Sequence, residues 1–105
     1  MRVINRKTGE RLASKAHWEA VRLFQKDGLS LISMVLPPGE AVNPHAVEDR
    51  LFLYVVRGVV EFMTGEESVI LMPGDLAVDE PGVIHGMVNR GDEEAALFLM
   101  RQSFT

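Results

Sequence analysis

Cysteine is absent from the 105 residues. Disulfides, thiolate metal sites and cysteine nucleophiles are thereby excluded. Basic charge is in short supply: 11 Lys and Arg stand against 15 Asp and Glu, a net charge of −4 at pH 7. No nucleic-acid partner is expected, because gripping phosphates takes a basic surface. No apolar run approaches the roughly 20 residues that cross a bilayer as a helix, so no membrane partner is expected either. The opening MRVINRKTGER carries no apolar signal core, which makes a cytoplasmic location the expectation. The phosphate loop GxxxxGK[ST] is missing, and Ser14, Ser30, Ser33 and Ser68 show no nucleophile-elbow pattern.

What remains is a chain of many short strands. Its length predicts one domain over 1–105, able to bury roughly 65% of its unfolded surface. A hydrophobic fraction of 47% fits a folded globule. Residues 1–5 are expected to pair as a short strand and Thr8-Gly9-Glu10 to turn. Leu12, Ala16, Ala20 and Phe24 fall at helical spacing, but the Asp27-Gly28 that follows is a strong hairpin signal. Strands are therefore predicted over 20–25 and 29–36, the second stopped by Pro37-Pro38-Gly39. Further strands are expected over 51–56, 59–63, 69–72, 76–78, 83–88 and 95–100, with turn residues between them. Residues 51–56 are almost wholly apolar, as in a strand buried on both faces. The pattern predicts an all-β fold of two antiparallel sheets, a sandwich or barrel.

Two stretches carry the candidate chemistry. GEAVNPHAVEDRLFLYVVRG, residues 39–58, holds His45; GDLAVDEPGVIHGMVN, residues 74–89, holds His85. Each histidine follows a Gly/Pro turn and sits beside strand formers, so the two imidazoles are expected to meet in a pocket. These stretches resemble the two motifs of the cupin superfamily, small double-stranded β-helix or jelly-roll barrels of the RmlC-like kind. In the first, G-x5-H-x-H-x3-E-x6-G, the residues Gly39, His45 and Gly58 match. In the second, G-x5-P-x-G-x2-H-x3-N, the residues Gly74, Gly82, His85 and Asn89 match, with Glu80 where the first proline is usual. The resemblance implies a cupin core over about residues 29–100, preceded by an N-terminal strand region, 1–28.

It also implies a metal site, which the sequence depletes. Cupin ligands are the two histidines and the glutamate of the first motif plus the histidine of the second. Here Val47 and Leu51 occupy the positions of the second histidine and the glutamate, leaving His45 and His85. Glu48 or Asp49 could swing in to complete a site for iron, manganese, nickel or zinc, or be solvated loop charges. Asp79 and Glu80 have the same two readings. Val47, Leu51 and Phe62 are expected to line a greasy pocket suited to an apolar or mixed small molecule, or else to fill a closed core. Arg50 and Arg57 could orient an anionic group or simply be solvated. His17 and Trp18 read as surface or dimer contacts. Apolar residues on both faces of 29–36 and 51–56 predict a homodimer. Three functional readings stay open: a small-molecule-binding cupin with a degenerate metal site, a metal-dependent dioxygenase or isomerase, and a non-catalytic sensory or structural dimer.

Overall fold

The computed structural model describes residues 1–12 and 17–104. The described chain is all strand and turn: β1 (Glu10–Arg11), β2 (Glu19–Lys26), β3 (Leu29–Leu36), β4 (Ala41–Ala46), β5 (Arg50–Arg57), β6 (Val60–Thr64), β7 (Glu67–Leu71), β8 (Leu76–Asp79), β9 (Ile84–Val88) and β10 (Ala95–Gln102). They form two antiparallel sheets. One runs β1-β2-β3-β10-β5-β8, the other β4-β9-β6-β7. This is the jelly-roll barrel the sequence predicts. Among the described residues no helix is long and apolar enough to cross a membrane.

Local chemistry explains the elements. Asp27 and Gly28 both take positive φ (53° and 79°), the backbone a two-residue hairpin loop demands, and they join β2 to β3. Strand alternation then sorts the faces. Ile32, Met34 and Leu36 of β3, Leu51, Leu53 and Val55 of β5, and Leu97 and Leu99 of β10 point into the barrel and are buried. Phe62 and Met87 of the facing sheet close the core. At one end Gly58 (φ +82°) passes so close to β10 that an added Cβ would lie 2.8 Å from the Ala95 Cα. The amide of Asn89, fully buried beside it, donates to the carbonyls of Leu36 and Glu93 and accepts from the Gly91 N–H.

Three expectations need correcting. Residues 1–5 form no strand; Asn5 instead accepts from the Thr8 and Gly9 N–H groups, and the pairing strand is Glu10–Arg11, opposite Arg22 and Val21. Residues 41–46 are a strand rather than a loop. Strand β5 is buried on one face only: Tyr54 and Val56 are exposed, because nothing in the described chain covers the outside of the larger sheet. The strand expected over 20–25, in place of the helical spacing of Leu12 to Phe24, is β2, Glu19–Lys26; Ala13 to Ala16 lie outside the described residues.

Candidate functional site

Strands β4 and β9 bring the two histidines together. They pair antiparallel with His45 directly opposite His85, and the register slips between Val42 and His45. The slip contains Asn43 and Pro44. Proline has no N–H to give a ladder, so a bulge is where it is tolerated. Gly86 makes room for that bulge: a Cβ there would lie 2.8 Å from the Val42 carbonyl oxygen and 2.9 Å from the Pro44 nitrogen. The outcome is two imidazole rings with centroids 5.1 Å apart, set at 64°.

The rings differ in setting. His45 is exposed and its Nδ1 lies 2.9 Å from the Asn43 carbonyl. A carbonyl only accepts, so Nδ1 carries the hydrogen and the neutral ring keeps Nε2 as an acceptor. His85 is 5% exposed and stacks on Phe62 at 6.1 Å between centroids. Behind it stands Asp79, whose Oδ1 accepts from the Thr64 hydroxyl at 2.9 Å. The other carboxylate oxygen, Oδ2, is 3.7 Å from His85 Nδ1, too far for a hydrogen bond. Burial holds the His85 pKa below the usual histidine value. The charge on His45 adds to this, Asp79 opposes it, Arg101 adds a little more, and the Val83 backbone opposes it.

A cavity of about 220 Å³ opens beside the pair. Its wall is mostly apolar, with Trp18, Met34, Val42, Leu51 and Leu99 among its residues, and His45, His85 and Arg101 supply the polar part. Cavities of about 150 Å³ accept benzene, so this one has room for a ring with one substituent or a short chain. Arg101 reaches it by strand phase. Ala95, Leu97 and Leu99 of β10 point inward, and Arg101 is next in the same phase, between Ser30 on β3 and Leu51 on β5. Three buried side-chain atoms lack a hydrogen-bond partner among the described residues: Asp79 Oδ2, His85 Nδ1 and Arg101 Nε. All three belong to this end of the barrel.

Other candidates fall elsewhere. Leu51 lines the cavity; Val47 and Phe62 do not. Val47 follows the end of β4 and its carbonyl accepts from the Gly82 N–H, while Phe62 lies behind His85 in the core. Glu48 and Asp49 are also outside the cavity wall. Arg50 is held by Glu80 and Gln102, and Arg57 by Glu94. Glu80 is the solvated charge of its pair, at 62% exposure, whereas Asp79 at 11% is not. His17 is exposed, but Trp18 belongs to the cavity wall and not to the outer surface. The residue the sequence reading missed is Arg101; of the two readings open for Asp79, its side chain takes the inward one. Period-two phase, carried one residue past the apolar run of β10 and of β8, is the signal that marks both.

A two-sheet barrel with histidines paired at one mouth defines a class of small jelly-roll proteins. The sequence pattern described as Cupin domain matches residues 32–101, and the chain belongs to the cupin family. The fold closely follows that of a predicted oxalate decarboxylase from Thermotoga maritima (TM-score 0.85, 20% identity, covering 98% of this chain and 100% of that one). The protein TT1209 from Thermus thermophilus is 28% identical, with a TM-score of 0.78 and coverage of 82% and 83%. The Cnp3 cupin domain of Schizosaccharomyces pombe is 12% identical at TM-score 0.79; the match covers 82% of this chain and 61% of that one. None of the curated proteins matches the chain by sequence.

The family commonly holds a divalent metal, and the donor set here does not fit one. A catalytic ion takes about three protein ligands. This cavity offers two imidazoles, and the apolar Leu51 stands where a carboxylate ligand would be. Among the described residues, no group of three or more His, Asp or Glu is placed to hold an ion.

Proposed function

We propose that this cupin binds a small organic molecule in the cavity between its sheets, with His45 and His85 as polar anchors. The observation that carries this reading is the cavity itself: apolar walls, two facing imidazoles, and the barrel's unpartnered buried polar atoms gathered at one end. Such a combination of a greasy pocket and a few converging polar groups is what ligand sites look like. Buried polar atoms are nearly always paired, so the unpartnered Nε of Arg101, a cavity-wall residue, supports a ligand that completes it. The rings are close enough for one ligand atom to touch both. The metal-dependent dioxygenase or isomerase reading lacks a third donor, and a purely structural dimer leaves the cavity without a role. A thermal-shift screen of small molecules on wild type and His45→Ala tests the proposal. His45 is exposed, so its loss should not impair folding. Stabilising compounds whose effect drops in the variant are expected; compounds that act equally on both, or none at all, would remove the reading.

The outer face of the larger sheet supports a second statement, that the chain pairs with a copy of itself. Leu31, Phe52, Tyr54, Leu76, Phe98 and Met100 line one groove with no charged side chain among them. Tyr54, Leu76 and Phe98 are each more than two-fifths exposed. Depletion of charge and enrichment in aromatics mark the centre of an interface. A copy of this face is the occupant that suits it, since an uncharged strip is self-complementary under two-fold symmetry. Sedimentation should give a dimer for wild type and a monomer for Phe98→Glu. A wild-type monomer at micromolar concentration would end this statement and leave the cavity reading untouched.

A further inference from the structure

We infer that the ligand of the cavity is a small monocarboxylic acid, its carboxylate held by Arg101 and its apolar body lying against Trp18, Met34, Leu51 and Leu99. The inference rests on the proposed function, and it names the chemical class that the cavity selects.

The reasoning begins with charge. Arg101 lies on the inner face of β10, beyond Leu97 and Leu99, and lines the cavity. No ion pair or hydrogen bond to its guanidinium occurs among the described residues, and its Nε is buried with no partner. The other arginines that pair do so with visible carboxylates: Arg6 and Arg11 with Glu19, Arg22 with Glu10, Arg50 with Glu80, Arg57 with Glu94, Arg90 with Glu61. Arginine does not lose its proton, so this half-buried guanidinium, with no partner for its Nε, cannot neutralise itself as a lysine can. Asp79 is two strands away across Leu51, where its Oδ1 accepts from Thr64 and its Oδ2 faces His85 Nδ1 at 3.7 Å. It sits behind His85 and outside the cavity wall. The positive charge therefore faces the cavity uncompensated.

Shape and count narrow the ligand further. A guanidinium presents planar parallel N–H donors, the geometry that a carboxylate matches in a bidentate pair. One cation balances one negative charge. A phosphate dianion would add a second negative charge that no other cation of the cavity wall is fixed to balance, in a protein already carrying −4. The rest of the wall is apolar and the volume is about 220 Å³, so the body attached to the carboxylate is one ring or a short chain.

The test is calorimetric titration with matched pairs: phenylacetate against phenylacetamide, and hexanoate against hexanamide. Each pair has the same shape and differs in charge. In wild type at pH 7 at least one acid should bind tenfold or more tightly than its amide, since a charge-assisted bond is stronger than a neutral one. Arg101→Gln should abolish that preference and leave amide binding unchanged, which also shows that the variant is folded. If Arg101→Gln does not fold, Arg101→Lys replaces it: weaker acid binding with unchanged amide binding supports the bidentate pair, and equal acid binding overturns it. Amides that bind as tightly as acids in wild type would overturn the acid class while leaving the cavity reading intact. Failure of all four compounds would overturn both.

Discussion

The two ends of the barrel treat buried polar groups in opposite ways. At one end Asn89, with no exposed surface, has its amide engaged by Leu36, Glu93 and Gly91. At the other, four residues earlier in the chain, His85 is nearly as buried, its Nδ1 faces Asp79 Oδ2 at 3.7 Å, beyond hydrogen-bond reach, and Arg101 Nε has no partner. An unmet buried donor or acceptor costs about 1–3 kcal/mol. A fold that satisfies one end and leaves the other open holds polar capacity in reserve where its cavity lies. The Asn89 end is structural, and the His85 end is where the proposed ligand would sit.

The comparison predicts opposite responses to mutation. Asn89→Leu should have the largest effect. It strips partners from two carbonyls and one N–H and should lower stability by about 3 kcal/mol, read by urea denaturation. Gly58→Ala comes next: its Cβ would press on the Ala95 Cα and the Glu94 carbonyl from a positive φ, a loss of about 2 kcal/mol on the same assay. At the cavity end Arg101→Met should instead raise the stability of the ligand-free protein by about 1 kcal/mol, because a half-buried charge without a partner is replaced by an apolar side chain of similar length. A loss as large as that of Asn89→Leu would show that Arg101 is structural and would break the comparison.

Proton binding sharpens it. The folded-state pKa of His85 lies below its ordinary value near 6.5, mainly through burial and then through His45. The unfolded state thus takes up a proton more readily, and the stability from keeping His85 neutral is present above about 6.5 and lost as pH falls through the folded-state value. NMR titration should place His85 below the ordinary value; Asp79→Asn should move it further down and Arg101→Gln up. An unshifted His85 would remove the claim. The smallest effect belongs to Arg57→Gln. Its pairing with Glu94 is exposed on both sides, and the change should stay within about 0.5 kcal/mol.

Much of this barrel is legible in the sequence. Strand β3 begins and ends where its alternation and the Pro-Pro-Gly stop place it, and the two glycine-histidine motifs give the order of the barrel. Strand β4 is not legible, because AVNPHA has neither apolar alternation nor freedom from proline; it is a strand by virtue of the bulge and its partner β9. The outer face of β5 reads as buried from its apolar residues, yet composition does not say whether the cover comes from the same chain. The pairing of His45 with His85 is foreseeable from motif spacing. Arg101 is not, since charged residues at strand ends are ordinarily solvated, and for Asp79 the inward reading only stands beside the solvated one. Only the phase of their neighbours, Leu99 and Ala77, shows that they turn inward.

The most direct measurement follows the Arg101 Nε–H resonance by nitrogen-edited NMR, assigned with Arg101→Gln, while phenylacetate and then hexanoate are added. The account predicts a saturable downfield shift at Arg101 with at least one acid, accompanied by a shift at His85 and none at Arg57. An Arg101 signal that stays in place with both acids while the His85 resonance moves would contradict it.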